Sequence, residues 1–73
     1  MIHQFITRDG YQVETWVYNS GDYSANVFVA KSNEKPVSSG NCTKYYMQGR
    51  DAYEVLLSEG KHMSKEELVR MFF

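Results

Sequence analysis

The sequence predicts one small α+β domain: an N-terminal antiparallel meander of three to four strands, followed by two short C-terminal helices packed on one sheet face. The first observation is a series of β-branched and aromatic runs separated by turn-forming residues in the N-terminal half. The second is a pair of helix-start signatures, at Asp51 and Ser64. The third is the length, because 73 residues suffice for a single domain and not for two.

Runs of β-branched and aromatic residues at 2–7 and 11–18 predict the first two strands. Between them stands Asp9-Gly10, a pair that tolerates the positive φ angles of a tight two-residue turn. A third run, at 23–31, follows Asn19-Ser20-Gly21, which suits a three-residue loop that ends in a left-handed glycine. The three runs therefore predict a meander.

The second loop predicts the register between the second and third strands. It pairs Tyr18 with Asp22, and therefore Val13 with Val27. The sheet face that results is largely apolar, so we expect it to form the core beneath the helices. A slip of one residue would set Glu14 against Val27, so turn chemistry and hydrophobic pattern favour the same register.

The first loop predicts which side chains of the first strand join this core. A two-residue turn at Asp9-Gly10 sets Ile6 beside Val13 and adds Ile2 and Ile6 to the core face. A three-residue loop is the alternative, and it would move Phe5 to the core side in place of the two isoleucines.

The opposite sheet face collects polar side chains around four large rings, which are Phe5, Trp16, Tyr18 and Phe28. Only Phe5 depends on the first loop. The chain carries four phenylalanines, six tyrosines and one tryptophan. Because a domain of this size buries only about 60% of its chain surface, some rings are expected at the surface or against another chain.

The segment after the third run predicts a loop at 32–41, around the only proline, and then a fourth strand at 42–48. An extra helical turn, which Gly49 weakens, is the alternative at 42–48. If residues 33–48 folded back over the ring-bearing face, Tyr45 and Tyr46 would be the natural contacts with Trp16 and Phe28.

Two capping boxes predict the helices. Asp51 with Glu54 three residues later starts the first helix, and Gly60 is placed to end it. Ser64 with Glu67 repeats the pattern, so the second helix should begin at the next residue. Its inward stripe is expected to be Leu68, Met71 and Phe72, and its outward pair Glu66 and Arg70.

Composition argues against several classes of function. The formal net charge is −1 with the signs interleaved, so neither a nucleic-acid footprint nor an acidic mimic is predicted. Cys42 is the only cysteine, which favours a reducing compartment, and we expect the cytoplasm. No apolar run is long enough to span a membrane, so no membrane partner is expected.

Chemistry-bearing residues are few, so we expect no enzyme, no cofactor and no metal. Cys42 and His62 form the only nucleophile and base combination, and their spacing matches no catalytic signature. The two histidines lack the paired ligands of a zinc site. The helical hairpin has the length of a DNA-reading motif, but Glu66 and Glu67 near its second helix start would repel phosphates.

The sequence therefore predicts a small protein-binding or regulatory module. Its partner-binding residues are expected to be Trp16, Tyr18, Phe28 and Phe5, docked on another protein or on a second copy of the chain. Domains of this kind occur among phage and mobile-element proteins that modulate a host protein. The alternative is a single-stranded nucleic-acid-binding protein that stacks bases on the same rings.

Overall fold

The computed structural model describes residues 1–31, 34–37 and 40–73, and it contains one antiparallel sheet with two helices on one face. The strands lie side by side in chain order, and they are β1 Ile2–Ile6, β2 Gln12–Asn19, β3 Ser24–Ala30 and β4 Cys42–Met47. The helices are α1 Arg50–Glu59 and α2 Lys65–Phe72, joined through a 3₁₀ turn at Gly60–His62. The predicted α+β meander with two C-terminal helices is confirmed, and so is the fourth strand.

Part of the predicted loop at 32–41 lies outside the described residues, namely positions 32, 33, 38 and 39. Residues 34–37 belong to neither a helix nor a strand. In the described part of the chain, neither helix is long and apolar enough to cross a membrane.

The first hairpin closes through a three-residue loop, so the predicted two-residue turn is wrong. The Thr7 N–H donates to the Tyr11 carbonyl over 2.9 Å, and Gly10 takes a left-handed φ of 93°. The Thr7 hydroxyl accepts the Tyr11 N–H and donates to the Asp9 carboxylate, at 2.9 and 2.6 Å. The three-residue loop is favoured over the predicted two-residue turn because the left-handed Gly10 and the Thr7 side chain close it.

The longer loop reverses the two faces of β1. Phe5 pairs with Val13 and lies on the helix-covered face, where it packs against the core. Ile2 and Ile6 lie on the other face and are 54% and 52% exposed. The predictions that the two isoleucines are core and that Phe5 lies on the opposite, ring-bearing face are therefore wrong, since a one-residue change of register turns every side chain over.

The second hairpin differs from its prediction by two residues, and its faces stay as predicted. Val13 pairs with Val29, two residues beyond the expected partner. β2 continues to Asn19 through a bulge, and the loop ends at Tyr23 in a left-handed conformation with φ 53°, not at Gly21. An even shift keeps each side chain on its original face.

The core is small, and it lies between the sheet and the two helices. The sheet contributes Val13, Val17, Ala25, Val27, Val29 and Met47, and the helices contribute Tyr53, Leu56 and Leu68. The side chains at the centre of the sheet are short. Tyr53 is the largest side chain that is fully buried.

The Tyr53 hydroxyl makes two hydrogen-bond contacts where the core meets β1 and β2. It lies 2.7 Å from the hydroxyl of Thr15, which is fully buried on β2, and 3.0 Å from Nδ1 of His3 on β1. A buried hydroxyl without a partner costs about 1–3 kcal/mol. These hydrogen bonds therefore favour the orientation in which the Tyr53 hydroxyl faces β1 and β2. Within the described residues, no buried side-chain polar atom lacks a partner.

Helix α1 begins earlier than its predicted capping box. It starts at Arg50 after Gly49, and Asp51 lies inside the first turn with no capping side chain. The Gly49 N–H donates to the Asp22 carbonyl over 3.1 Å, which ties the helix start to the second hairpin. This tertiary hydrogen bond outweighs the local signature of Asp51 and Glu54.

Gly60 follows the end of α1 as predicted, but not through a left-handed cap. Its φ is −59°, which any residue can adopt. A Cβ at this position would lie 2.6 Å from Cζ of Phe5. Glycine is therefore required here by the Phe5 ring, which packs directly on the Gly60 backbone.

Helix α2 begins at Lys65 as predicted, and its capping box is confirmed. The Ser64 hydroxyl accepts the Glu67 N–H over 3.1 Å, and the Glu67 carboxylate accepts the Ser64 N–H over 2.9 Å. Arg70 and Glu66 form the predicted outward ion pair at 2.8 Å. Leu68 is buried, whereas Met71 is 62% exposed, so its predicted place in the inward stripe is wrong.

The first loop also holds the start of α2. The Arg8 N–H donates to the Met63 carbonyl over 2.8 Å, and the Asp9 carboxylate accepts the Lys65 N–H over 3.0 Å. The Arg8 guanidinium meets the Glu67 carboxylate at 2.8 Å. The loop that sets the sheet register thus also positions the second helix.

Replacing Tyr53 with phenylalanine removes the buried hydroxyl and keeps the ring. Because Thr15 loses its closest partner, we expect Tyr53→Phe to lower the free energy of unfolding by about 1–3 kcal/mol in urea titrations. Tyr23→Phe is the matched control, because the Tyr23 hydroxyl has no hydrogen bond to any described residue while its ring packs on Tyr53. Equal losses for the two variants would contradict the role of the buried network.

Adding a methyl group at Gly60 should force the Phe5 ring out of place. Gly60→Ala is expected to destabilise the fold by about 1–3 kcal/mol, because overpacking outweighs the helical preference of alanine. The smaller side chain in Phe5→Leu makes room for the methyl group, so the double variant should lose less than the sum of the two single variants. Additive losses in a double-mutant cycle would contradict the contact.

Candidate functional site

The sheet face opposite the helices carries a group of large side chains, and we call it the open face. Its large residues are Ile2, Ile6, Trp16, Tyr18, Phe28 and Tyr46. The structure therefore brings together three of the four predicted site residues, and Phe5 is the exception. Tyr46, which sequence reasoning did not assign to this face, joins it because Asn26 lies between it and Trp16 across the sheet.

Trp16 is held in one orientation although its side chain remains 46% exposed. Its indole N–H donates to one oxygen of the Glu14 carboxylate, and the Gln4 amide donates to the other oxygen, each over 2.5 Å. The Phe28 ring meets the indole edge to face, with ring centroids 6.3 Å apart. The polar atom of Trp16 is thus satisfied inside the chain, and its apolar surface faces outwards.

A groove runs beside this ring pair. It is lined by Glu14, Trp16, Phe28, Pro36 and Val37. Pro36 and Val37 flank the rings from one side, and Val37 is itself 50% exposed. In its described residues, the segment between β3 and β4 borders the open face and does not cover it.

Tyr45 and Tyr46, the contacts expected if residues 33–48 folded back, point to opposite faces of β4. Tyr45 lies on the helix-covered face, where its ring stacks on Phe73 at a centroid distance of 4.6 Å. Tyr46 lies on the open face and is 54% exposed. The alternative in which both tyrosines cover Trp16 and Phe28 is therefore wrong, because neighbouring strand residues alternate between faces.

A polar network forms the margin of the open face near Tyr18 and Tyr46. The Asp22 carboxylate accepts the Ser24 hydroxyl at 2.7 Å and the Gln48 amide at 2.8 Å. The Tyr46 hydroxyl lies 3.3 Å from the Ser24 hydroxyl. The hydrogen bond from Ser24 is the main reason that the pKa of Asp22 lies below its usual 3.8.

Tyr18 stands next to this network. Removal of water by neighbouring groups, followed by the interaction with the Tyr46 hydroxyl, raises the pKa of Tyr18 above its usual 10.0. Tyr18 therefore stays neutral at physiological pH. Its hydroxyl and that of Tyr46 supply neutral donors and acceptors at the rim of an apolar patch.

The open face carries little charge. Glu14 and Lys44 are the charged side chains on its strands, and both oxygens of Glu14 already accept hydrogen bonds. Arg8, in the loop between β1 and β2, is engaged by Glu67 and the His62 carbonyl. A nearly neutral patch of rings with a polar rim is suited to contact with protein.

The structure does not bring Cys42 and His62 together. Cys42 begins β4 at one edge of the sheet, and its thiol donates to the Val37 carbonyl at 3.1 Å. His62 lies in the 3₁₀ turn, where its carbonyl accepts from Arg8 beyond the strand at the other edge. Over the described residues, no three His, Cys, Asp or Glu side chains are grouped so that they could hold a metal ion.

Comparison with protein-family models, with curated proteins and with solved structures finds no match for this chain.

Acid should weaken the margin of the open face through Asp22. A carboxylate with a lowered pKa contributes stability that is present above its unfolded value of 3.8 and is lost as the pH falls through the folded value. Hydrogen bonds from Thr7 and from the Ser64 backbone lower the pKa values of Asp9 and Glu67, so acid should lower the melting temperature of the native chain generally.

A comparison with Asp22→Asn isolates the contribution of Asp22. The variant should melt at a lower temperature at pH 7, and its difference from the native chain should shrink below about pH 4, where the native carboxylate becomes protonated. Circular-dichroism melting curves recorded from about pH 2 to pH 7 measure this difference. A difference that stays constant over that range would contradict the assignment.

Proposed function

We propose that this chain is a non-enzymatic module that binds another protein on the open face. The observation that supports the proposal is the fixed, half-exposed Trp16, held by Glu14 and Phe28. A side chain that is ordered before binding loses little conformational entropy when the partner docks. Tryptophan and tyrosine in neutral polar surroundings are the residues that most often dominate the free energy of protein binding.

The chemistry of the face indicates the chemistry of the partner. The groove beside Trp16 and Phe28 is suited to an aliphatic or aromatic side chain, and the hydroxyls of Tyr18 and Tyr46 suit neutral polar groups around it. Because Glu14 and Lys44 carry opposite charges on this face, a strongly basic partner gains little from it. We therefore expect a partner surface with an apolar centre and an uncharged rim.

Single-stranded nucleic acid is supported less well. Bases can stack on exposed rings, but their phosphates need cationic neighbours, and Lys44 is the cation that the strands offer on this face. The single cysteine, Cys42, is compatible with a reducing compartment, and the proposed site of action is the cytoplasm.

Replacing Trp16 with serine should remove partner binding and leave the fold intact. Its ring is half-exposed, so the loss of the Phe28 contact should lower the free energy of unfolding by only about 1–2 kcal/mol. Val55→Ser is the matched control, because Val55 is a 43% exposed apolar residue on α1. The native chain and Val55→Ser should capture the same protein from a lysate, whereas Trp16→Ser should not.

The captured protein is then purified and titrated into the native chain. Its binding should shift the emission of Trp16, the only tryptophan, and protect it from acrylamide quenching. Glu14→Ala should weaken the binding, because it frees the indole without removing it. Unchanged affinity in Trp16→Ser would contradict the proposal, as would binding of a labelled oligonucleotide, at about 50 mM salt, that Trp16→Ser abolishes.

A further inference from the structure

The outer edge of β1 is an open strand edge whose backbone groups can be assigned from the hydrogen bonds of its neighbours. The Thr7 N–H donates to Tyr11, and Met1 exchanges hydrogen bonds with Val17. Since the direction of N–H and C=O alternates along an antiparallel strand, the odd-numbered residues of β1 bond to β2. The N–H and C=O groups of Ile2, Gln4 and Ile6 therefore point away from the sheet.

This edge lacks the devices that normally protect a strand edge. β1 contains no proline, no bulge and no Asp, Glu, Lys or Arg. Ile2 and Ile6 are more than half exposed. Apolar side chains beside unpaired backbone groups favour pairing with another strand. The nearby charges come from other elements: Glu14 on β2 accepts a hydrogen bond from the Gln4 side chain, and Lys61 borders the edge beside Ile6 from the helical layer.

The pattern Ile2, Gln4, Ile6 is symmetric about Gln4. If a second β1 runs antiparallel with Gln4 opposite Gln4, then Ile2 faces Ile6 of the second copy at both ends. All three outward residues then form hydrogen-bonded pairs, and both apolar side chains gain an apolar neighbour. The edge is thus complementary to itself, which is the requirement for a two-fold interface.

We propose that two copies of this chain pair through their β1 edges and form one continuous eight-stranded antiparallel sheet. The register sets Ile2 against Ile6 and Gln4 against Gln4 across the two-fold axis. The axis is perpendicular to the sheet, so the open faces of both copies lie on the same side. Pairing along one five-residue strand buries a small area, so the dissociation constant is expected in the micromolar range or weaker.

The opposite edge of the sheet does not offer the same pairing. On β4 the outward residues are Cys42, Lys44 and Tyr46, by the same alternation carried across the sheet. A two-fold axis there would place Lys44 directly opposite its own copy, and like charges in that position are destabilising. A lysine on an edge strand is also a common protection against pairing.

Self-pairing through β1 does not depend on the proposed function. It uses the backbone edge and the two isoleucines, whereas partner binding uses the Trp16 ring and the groove beside it. In the pair, the four isoleucines lie at the junction of the two open faces, which form one surface. The two proposals therefore fail independently.

Charge substitutions at the two exposed isoleucines test both the pairing and its register. Sedimentation equilibrium from about 1 µM to about 1 mM should show the native chain moving towards twice its monomer mass. Ile2→Lys with Ile6→Lys sets like charges opposite each other, so association should weaken at least about tenfold. Ile2→Lys with Ile6→Glu sets opposite charges opposite each other, and this variant should associate more strongly than the lysine pair.

The matched control is Val55→Lys with Met71→Lys, which adds the same charge at two exposed apolar positions on the helices and should associate like the native chain. In amide exchange, protection should rise with concentration at Ile2, Gln4 and Ile6, and not at His3 or Phe5. Circular-dichroism spectra like that of the native chain establish that each variant is folded.

Three results would overturn the proposal. The first is a native chain that stays monomeric up to about 1 mM. The second is unchanged association in the lysine pair. The third is association that Trp16→Ser abolishes while the lysine pair retains it, since this result would make the open face the contact between copies.

Discussion

The loop between β1 and β2 is the constraint on which the rest of the structure depends. The loop has three residues and is closed by the Thr7 side chain and the left-handed Gly10. Its length determines the parity of β1, that is, whether the odd- or the even-numbered side chains face the helices. That parity places Phe5 under the helices, where only glycine at position 60 leaves room for it. The same loop binds the start of α2 through Asp9, so sheet register and helix position are determined together.

The predictions were correct where the signals were local, and the predicted faces were correct where the register was wrong by an even number of residues. The capping box of Ser64 and Glu67 was predicted correctly because both of its hydrogen bonds lie within four residues. The second hairpin was misread by two residues, and Trp16 and Phe28 still fell on the predicted face. Side chains alternate with a period of two, so an even error moves the contacts and preserves the faces.

The main failures arise from hydrogen bonds that the turn and capping signatures do not include, whether these bonds are local or tertiary. The Thr7 side chain lengthened the first loop by one residue, and this odd error turned Phe5 and both isoleucines over. Gly49 bonds to the Asp22 carbonyl, and this tertiary contact moved the start of α1 away from the Asp51 signature. The Glu14 bridge between Gln4 and Trp16 likewise exists only once the strands are paired.

Because the core is small, some aromatic side chains of this chain remain at the surface. Trp16 is one of them, and its contribution to stability is small. The central sheet positions under the helices are valine, alanine and threonine, and Tyr53 is the largest of the few buried side chains that the helices place against them. An exposed tryptophan contributes little to the free energy of unfolding, because about half of its surface remains in water. Yet Glu14, itself bonded by Gln4, and Phe28 hold it in place. A surface ring that two neighbours order and that stabilises the fold so little supports the proposal that the open face binds another protein.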